Sequence, residues 1–199
     1  MLQDIKQGTE TIGKSCSQEQ LLEMLTDSSK REQGFRLLTK QYGEKLYWHI
    51  RRIVVTHDDA EDALQETFIK IYSGIGSFKG DGQLASWMYR IATNEALALL
   101  RKQTHIFQSV DDLGPTLTGR LQAETALDAS AAEVLFQKAL LTLPTQQRIA
   151  FNMRYYDEMS YEEIAAVTGK SVGTLKANYH YAVEKVKNYI KKYSQDETV

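Results

Sequence analysis

Only two of the 199 residues are proline, Pro115 and Pro144, and elsewhere apolar side chains recur at three- and four-residue steps. That spacing follows the 3.6-residue period of a helix, and no segment shows the alternation of a half-buried strand. A chain so patterned is restricted to all-α packings. Leu, Ala, Glu, Gln and Lys, all good helix formers, are plentiful.

The pattern divides the chain. Residues 1–16 show no period and are expected to form a mobile N-terminal arm. Residues 17–103 read as one helical domain. Ser17 and Gln20 form a capping box ahead of Leu21, Leu22, Met24 and Leu25. A second helix runs from about Phe35 through Leu38, Tyr42, Leu46, Ile50 and Ile53. The third is expected to open with Asp58 as cap and Glu61 as its reciprocal partner. Its apolar face is Ala60, Ala63, Leu64, Phe68, Ile71, Tyr72 and Ile75. Glycines at 74, 76, 80 and 82 mark a loop, and a fourth helix starts near Leu84 and runs to Arg101 and Lys102.

Periodicity fades between 104 and 131, around the turn-forming Gly114-Pro115 pair, and this stretch reads as a flexible linker with room for a short helix in its second half. Helical patterning returns over 132–194, interrupted at Leu143-Pro144, Asp157-Glu158 and Gly169. The expected fold is therefore all-α, with two small helical domains joined by a flexible linker.

Several function classes drop out. The N-terminus lacks the apolar run of a secretory signal, and no stretch approaches the roughly 20 residues of a membrane span. Cys16 is the only cysteine, so an internal disulfide or a cysteine-rich zinc site is excluded. A cytoplasmic protein with no membrane insertion is expected. His49, His57, His105 and His180 show no metal-ligand spacing, and no glycine-rich phosphate loop is present. Asp62 and Glu66 sit at i,i+4 but find no matching ligand helix. No catalytic residue, metal site or cofactor is expected, and the chain does not read as an enzyme.

Net charge is −2, yet the charge is segregated. Asp58 to Glu66 is acidic. From Lys170 to Lys192 six lysines stand against Glu184 alone. Opposite signs at two places suit two different partners.

The segment MSYEEIAAVTGKSVGTLKANYHYAVEKVKNYI is the most specific local pattern. Ser160 and Glu163 form a capping box, Ala165 is small where a second helix must cross, Gly169 suits a turn with positive φ, and Val172 and Leu175 anchor the next helix. Together they describe a helix-turn-helix. The outward residues of its second helix are Ser171, Thr174, Lys176, Ala177, Asn178, His180 and Tyr181, with Lys185 further along. Lys suits guanine acceptors and Asn suits adenine. A helical hairpin in a protein-binding bundle has the same outline.

The stretches HDDAEDALQETFIKIY, SFKGDGQLASWMYRIATNEALALLRKQ and LLTLPTQQRIAFNMRYYDEMSYEEIAAVTGKSVGTLKANYHYAVEKVK, in that order, resemble the bacterial RNA polymerase sigma factors of the sigma-70 family, nearest the extracytoplasmic-function (ECF) group. The resemblance covers roughly 33–103 and 132–190. It implies a transcription initiation factor that binds core RNA polymerase and directs it to −35 and −10 promoter elements, assisting melting. Residues 17–103 then correspond to region 2 and 132–194 to region 4, with the linker threading along the polymerase.

By the same resemblance, Asp59, Asp62, Gln65 and Glu66 would face the clamp coiled coil of the largest polymerase subunit, with Leu64 or Phe68 as the apolar contact. Region 4 would also meet the flap region. Phe78, Lys79, Gly80 and Asp81 would form part of a pocket for an extruded −10 base, Asn94 would face that strand, and Arg90, Arg101 and Lys102 would meet phosphates. Trp87 and Tyr89 read more simply as core. An anti-sigma factor, often membrane-anchored, is a further implied partner.

Two departures stand out. Ala98 replaces an aspartate common in relatives, and the second helix of the C-terminal motif has Lys176, Asn178 and Tyr181 where arginines are frequent, so the −35 sequence does not carry over. A polymerase-independent helix-turn-helix regulator would need a dimerisation seam, and no sustained heptad is found. An adaptor with a degenerate motif would show no salt-dependent DNA binding.

Overall fold

The computed structural model describes residues 16–78, 83–103, 117–119, 121 and 130–194, and all regular structure among them is helical. The helices are α1 (Gln18–Thr26), α2 (Arg31–Val54), α3 (His57–Gly74), α4 (Leu84–Gln103), α5 (Ala131–Leu141), α6 (Thr145–Tyr155), α7 (Tyr161–Thr168) and α8 (Val172–Tyr193). A single 3-10 turn, Ile75–Ser77, follows α3. The N-terminal arm, the loop 79–82 and most of 104–131, including the short helix expected there, lie outside the described residues.

α1–α4 form one bundle, in which α3 and α4 pack on each other and on α2, and α1 lies across α2. Their buried lines follow the helical period: Leu38, Leu46, Ile50 and Ile53 on α2, and Met88, Ala92, Ala96 and Leu100 on α4. Ala60 and Ala63 of α3 and Ala92 and Ala96 of α4 are small, which lets the helix axes approach closely. Thr67 occupies a fully buried place on α3, and its hydroxyl donates to the Ala63 carbonyl at 2.7 Å. The hydroxyl is thus satisfied within its own helix.

Helix starts agree with the sequence at Ser17/Gln20 and at Ser160/Glu163, both full capping boxes. α3 differs. Its cap is Thr56, whose Oγ1 accepts from the Asp59 amide at 3.3 Å, and Asp58 lies inside the first turn. The cause is Val55, at φ 77°, which ends α2 and turns the chain so that Thr56 is the extended residue before the new helix. Tyr72 also differs from expectation: it stands 46 % exposed rather than in the core face.

α5–α8 form the second bundle, with α5, α6 and α7 all touching α8. Its own core holds Ala139, Leu140, Leu143, Phe151, Ala182 and Val186. Phe151 stacks between Tyr155 and Tyr179, with centroid distances of 5.3 and 5.6 Å. Gly169 closes α7 at φ 70°, the left-handed geometry expected of the helix-turn-helix turn.

The two bundles also pack on each other, α4 against α7 and α2 against α6. Met153, Met159, Ile164, Val167 and Leu175 belong to one continuous buried cluster with the residues of α1–α4, and Leu117 and Leu121 join it. Polar groups complete the contact reciprocally. Arg148 and Asn152 of α6, both buried, donate to the carbonyls of Ile53 and Arg52 in the last turn of α2, each at 3.4 Å. In return, the Arg90 guanidinium donates to the Ala166 carbonyl in the last turn of α7. Each bundle thus caps a helix end of the other, where carbonyls lack intrahelical partners. Among the described residues no helix is long and apolar enough to cross a membrane.

Candidate functional site

α3 offers two faces to solvent. On one, Asp59, Asp62, Gln65 and Glu66 line a cleft of about 520 Å³ with Glu95, Ala98, Leu99 and Lys102 of α4. Asp62 and Glu66 are exposed and enter no ion pair among the described residues. Glu95 is engaged by Lys70 at 2.6 Å. Carboxylates held on a rigid helix without local partners favour a basic partner and fix its register.

On the other face, Leu64 and Phe68 join Phe35, Tyr47, Ile69 and Tyr72 in an apolar groove of about 650 Å³. Phe35 meets Phe68 and Tyr72 edge-on at 5.9 and 5.1 Å, which fixes the groove floor. Ile69 is 53 % exposed. Tyr72, expected in the core face, thus belongs to this groove, and so does Ile69, which helical spacing does not assign to that face. The available signal was Ile69 itself, a large aliphatic off the helix's buried line.

On α4, Arg90, Asn94 and Arg101 follow one another at steps of four and seven and share a face. Asn94 is exposed. Arg90 is committed to Ala166, and Lys102 turns toward the acidic cleft. Phe78 packs on Trp87 with centroids 5.3 Å apart, and the indole leans on Gly74, where a Cβ would come within 3.3 Å of the ring. Lys79, Gly80 and Asp81 lie outside the described residues.

The second helix of the C-terminal motif, α8, leaves Ser171, Thr174, Lys176, Ala177, His180, Tyr181 and Lys185 exposed, while Asn178 is half-buried. Ser171 is the N-cap, its Oγ accepting from the Thr174 amide at 3.1 Å. Both hydroxyls sit 2.8 Å apart at the helix start. Lys176 Nζ lies 5.7 Å above the Tyr161 ring, a cation–π contact from α8 to α7.

Sequence reasoning also missed a polar cluster between the bundles. His49 Nδ1 lies 2.7 Å from Asp157 Oδ2, and its Nε2 lies 2.9 Å from Thr93 Oγ1. Arg52 donates to the other Asp157 oxygen at 3.2 Å and covers the Tyr156 ring at 4.2 Å. Thr93 also reaches the Tyr89 carbonyl at 2.7 Å. Thr93 thus stands between the His49 ring and the Tyr89 carbonyl, its hydroxyl within hydrogen-bond reach of both. The Asp157 carboxylate thus bridges the His49 ring and the Arg52 guanidinium. Burial, and after it the Asp157 charge, pushes the neighbouring Tyr89 phenol well above its ordinary value. Among the described residues no three His, Cys, Asp or Glu side chains gather as a metal site.

A helical bundle with an acidic, grooved helix, joined to a second bundle built on a helix-turn-helix, describes a class of DNA-binding transcription proteins. Comparison with known proteins narrows the class. Residues 38–106 match sigma-70 region 2, and residues 133–186 match sigma-70 region 4. The chain is 31% identical over 168 residues to the ECF RNA polymerase sigma-E factor of Escherichia coli (strain K12), covering 80% of this chain and 87% of that protein. It is 31% identical over 177 residues to the RNA polymerase sigma-H factor of Pseudomonas aeruginosa, covering 84% and 91%.

Two solved structures share the fold. CnrH in complex with the cytosolic domain of CnrY gives a TM-score of 0.65 at 22% identity, covering 87% of this chain and 96% of that one. The sigma factor RpoE in complex with the anti-sigma factor NepR from Bartonella quintana gives 0.61 at 24%, covering 79% and 96%. The chain belongs to the sigma-70 family, in its ECF group, and is a promoter-specific transcription initiation factor.

Proposed function

We propose that this factor docks on core RNA polymerase through both exposed faces of α3. Asp59, Asp62, Gln65 and Glu66 meet basic side chains of the clamp coiled coil, and the groove at Leu64, Phe68, Ile69 and Tyr72 takes apolar ones. The observation that carries this is the adjacency of the two faces on one rigid helix: charge supplies steering, and the apolar groove supplies area for tight contact. The α4 face with Asn94, Arg90 and Arg101, together with Phe78 and residues 79–81, reads and melts the −10 element. The exposed side of α8 from Ser171 to Lys185 reads the −35 element in the major groove. Lys102, which lines the acidic cleft at the end of α4, meets phosphate in this reading.

In this reading 17–103 and 132–194 act as the two promoter-reading domains and 104–131 joins them. The factor works in the cytoplasm, catalyses no reaction of its own and needs no cofactor. One of the two solved structures holds its sigma factor bound to the anti-sigma factor NepR, which supports a similar partner here, competing for the same α3 surfaces.

The test is binding to core polymerase, with wild type beside Asp62→Lys/Glu66→Lys and folding checked by circular dichroism. Binding lost only in the folded, charge-reversed variant supports the docking face. No binding by wild type sinks the reading, and equal binding by both removes the acids from it.

A further inference from the structure

Beside the His49–Asp157 contact a cleft of about 490 Å³ opens between α2, α4 and the turn from α6 to α7. None of the described residues lining it belongs to the docking faces of α3 or to the outward side of α8. Its walls are aromatic: Tyr42 and Trp48 of α2, Tyr89 of α4, and Tyr156 at the end of α6. Trp48 is 48 % exposed, and its indole meets the Tyr47 ring edge-on at 5.3 Å, which restrains it in place. A half-exposed indole beside three tyrosine rings is a ready surface for a ligand with an apolar body.

The charges in the cleft decide the sign of that ligand. Arg52 is engaged by Asp157 and covers the Tyr156 ring, and Asp157 is held by His49 as well. Glu163 spends one oxygen on the capping box with Ser160. Glu44 and Glu158 remain, both exposed and outside any ion pair among the described residues, with Lys45 alone opposing them. Glu44 and Trp48 stand one turn apart on the same side of α2. Glu158 is held at φ 55°, a backbone that glycine would adopt without strain. Glutamate accepts that strain and sets a carboxylate at the rim, as happens where the side chain is used.

We propose that this cleft binds a small organic cation, an ammonium group on an apolar body. The ammonium lies against Glu158 and Glu44, and the body lies on Trp48 and the tyrosine rings. Aromatic faces carry negative charge density and attract an ammonium, and free carboxylates add to the attraction. The volume is that of a small-molecule site. An anion would meet the unpaired carboxylates first. A bare metal ion finds no gathering of three His, Cys, Asp or Glu side chains among the described residues. Because α2 and the α6–α7 turn belong to different bundles, a ligand here touches both, and the thermal midpoint of the chain rises with its concentration.

The test titrates the full chain by isothermal calorimetry at constant ionic strength. The probe is benzyltrimethylammonium, with phenylacetate and benzyl alcohol as anionic and neutral counterparts. The cation should bind saturably at a single site per chain, and both counterparts at least about tenfold more weakly. Glu158→Gln and Trp48→Leu, both at exposed positions, should each weaken the cation roughly five- to tenfold with helicity unchanged. Lys45→Ala removes the opposing charge and should tighten binding roughly two- to threefold, a gain that damaged packing would not produce. Glu23→Gln, an exposed carboxylate of α1 outside the cleft, should leave the affinity unchanged.

Equal binding of cation, anion and neutral probe would leave an apolar pocket without charge preference and overturn the assignment. Preference for phenylacetate would overturn it too, by giving the cleft to Lys45 and Arg52. Cation binding that neither Glu158→Gln nor Trp48→Leu weakens lies elsewhere on the molecule and is equally fatal. So is the absence of saturable cation binding at low-millimolar concentration.

Discussion

The Asp157 carboxylate lies 2.7 Å from Nδ1 of His49, and 108 residues of sequence separate the two. The bond ties the turn before the helix-turn-helix to the last two turns of α2. Around it the apolar residues of both bundles run together, with Ile164 and Met153 as deeply buried as Ile50 and Met88. The physical unit of the free chain is therefore both bundles, although each also has packing of its own.

Unfolding should reflect that unit. Trp48 and Trp87, the only tryptophans, both lie in the α1–α4 bundle, so their fluorescence reports one half while circular dichroism reports both. In urea the two signals should give one coincident transition. Ile164→Ala on α7 empties a fully buried site and should cost about 2–4 kcal/mol. The fluorescence midpoint should fall with the helical one, although the change lies in the other bundle. A fluorescence midpoint that stays put would mean the bundles unfold independently.

Polymerase affinity should divide between the two faces of α3. Tyr72→Ala and Ile69→Ser each remove an apolar anchor from the groove and should weaken binding by about 1–2 kcal/mol, roughly 5- to 30-fold, mainly through faster dissociation. Asp62→Ala should act chiefly on association, with an effect that shrinks as salt rises. Surface-plasmon kinetics at two salt concentrations separates the cases. Equal effects on dissociation from Asp62 and Tyr72 would contradict this division.

Helices, caps and the helix-turn-helix were legible because their signals are local. The Ser160/Glu163 box, Gly169 and Leu175 act within a few residues of one another, and the structure has them in the expected states. The start of α3 was misread by two residues because Asp58 and Thr56 are both good caps, and Val55's backbone, invisible to side-chain pattern, decides between them. Exposure of Tyr72 depends on how far α2 covers α3, which spacing along α3 alone does not show. The His49–Asp157 contact was illegible for a stronger reason. Neither residue is unusual in its own helix or turn, and only the tertiary meeting makes them partners. Arg148 and Asn152, polar residues buried on α6, were the remaining hint that something besides apolar surface lay opposite.

Two left-handed backbones give opposite predictions. Gly169 has φ 70°, and a Cβ there would meet nothing within 4 Å, so Gly169→Ala is a backbone change alone. Left-handed geometry costs an L-residue roughly 1–2 kcal/mol, partly offset by the 0.4–1 kcal/mol gained from a stiffer unfolded chain. Gly169→Ala should therefore lose about 0.5–1 kcal/mol. Glu158, exposed at φ 55°, has the reverse problem, and Glu158→Gly should gain a similar amount. Thermal unfolding of both variants checks the signs.

Acid should fray the start of α5. Glu133 accepts from the Ser130 amide first and from its hydroxyl second, and these bonds hold its carboxyl below the ordinary 4.5. A depressed folded value means the cap's contribution is complete above 4.5 and is lost as pH falls through the still lower folded value. Amide exchange in the first turn of α5 should rise over that range in wild type. Glu133→Gln, which has no charge to lose, should show faster exchange already at neutral pH and little further change on acidification.

On duplex DNA the lysines of α8 and its half-buried asparagine should separate by salt dependence. A lysine that neutralises a phosphate releases counterions and contributes about 0.9 to the slope of log K against log salt, whatever the sequence. Lys185→Ala and Lys191→Ala should each lower that slope by about 1 if they touch phosphate, weakening all duplexes alike. Asn178→Ala carries no charge change, so the slope should hold while discrimination between matched and single-base-changed −35 duplexes narrows by about 1–3 kcal/mol at the position it reads. If Asn178→Ala weakens every duplex equally, its role is to pack α8, and base reading passes to the exposed Lys176 and Thr174 side chains at the helix start.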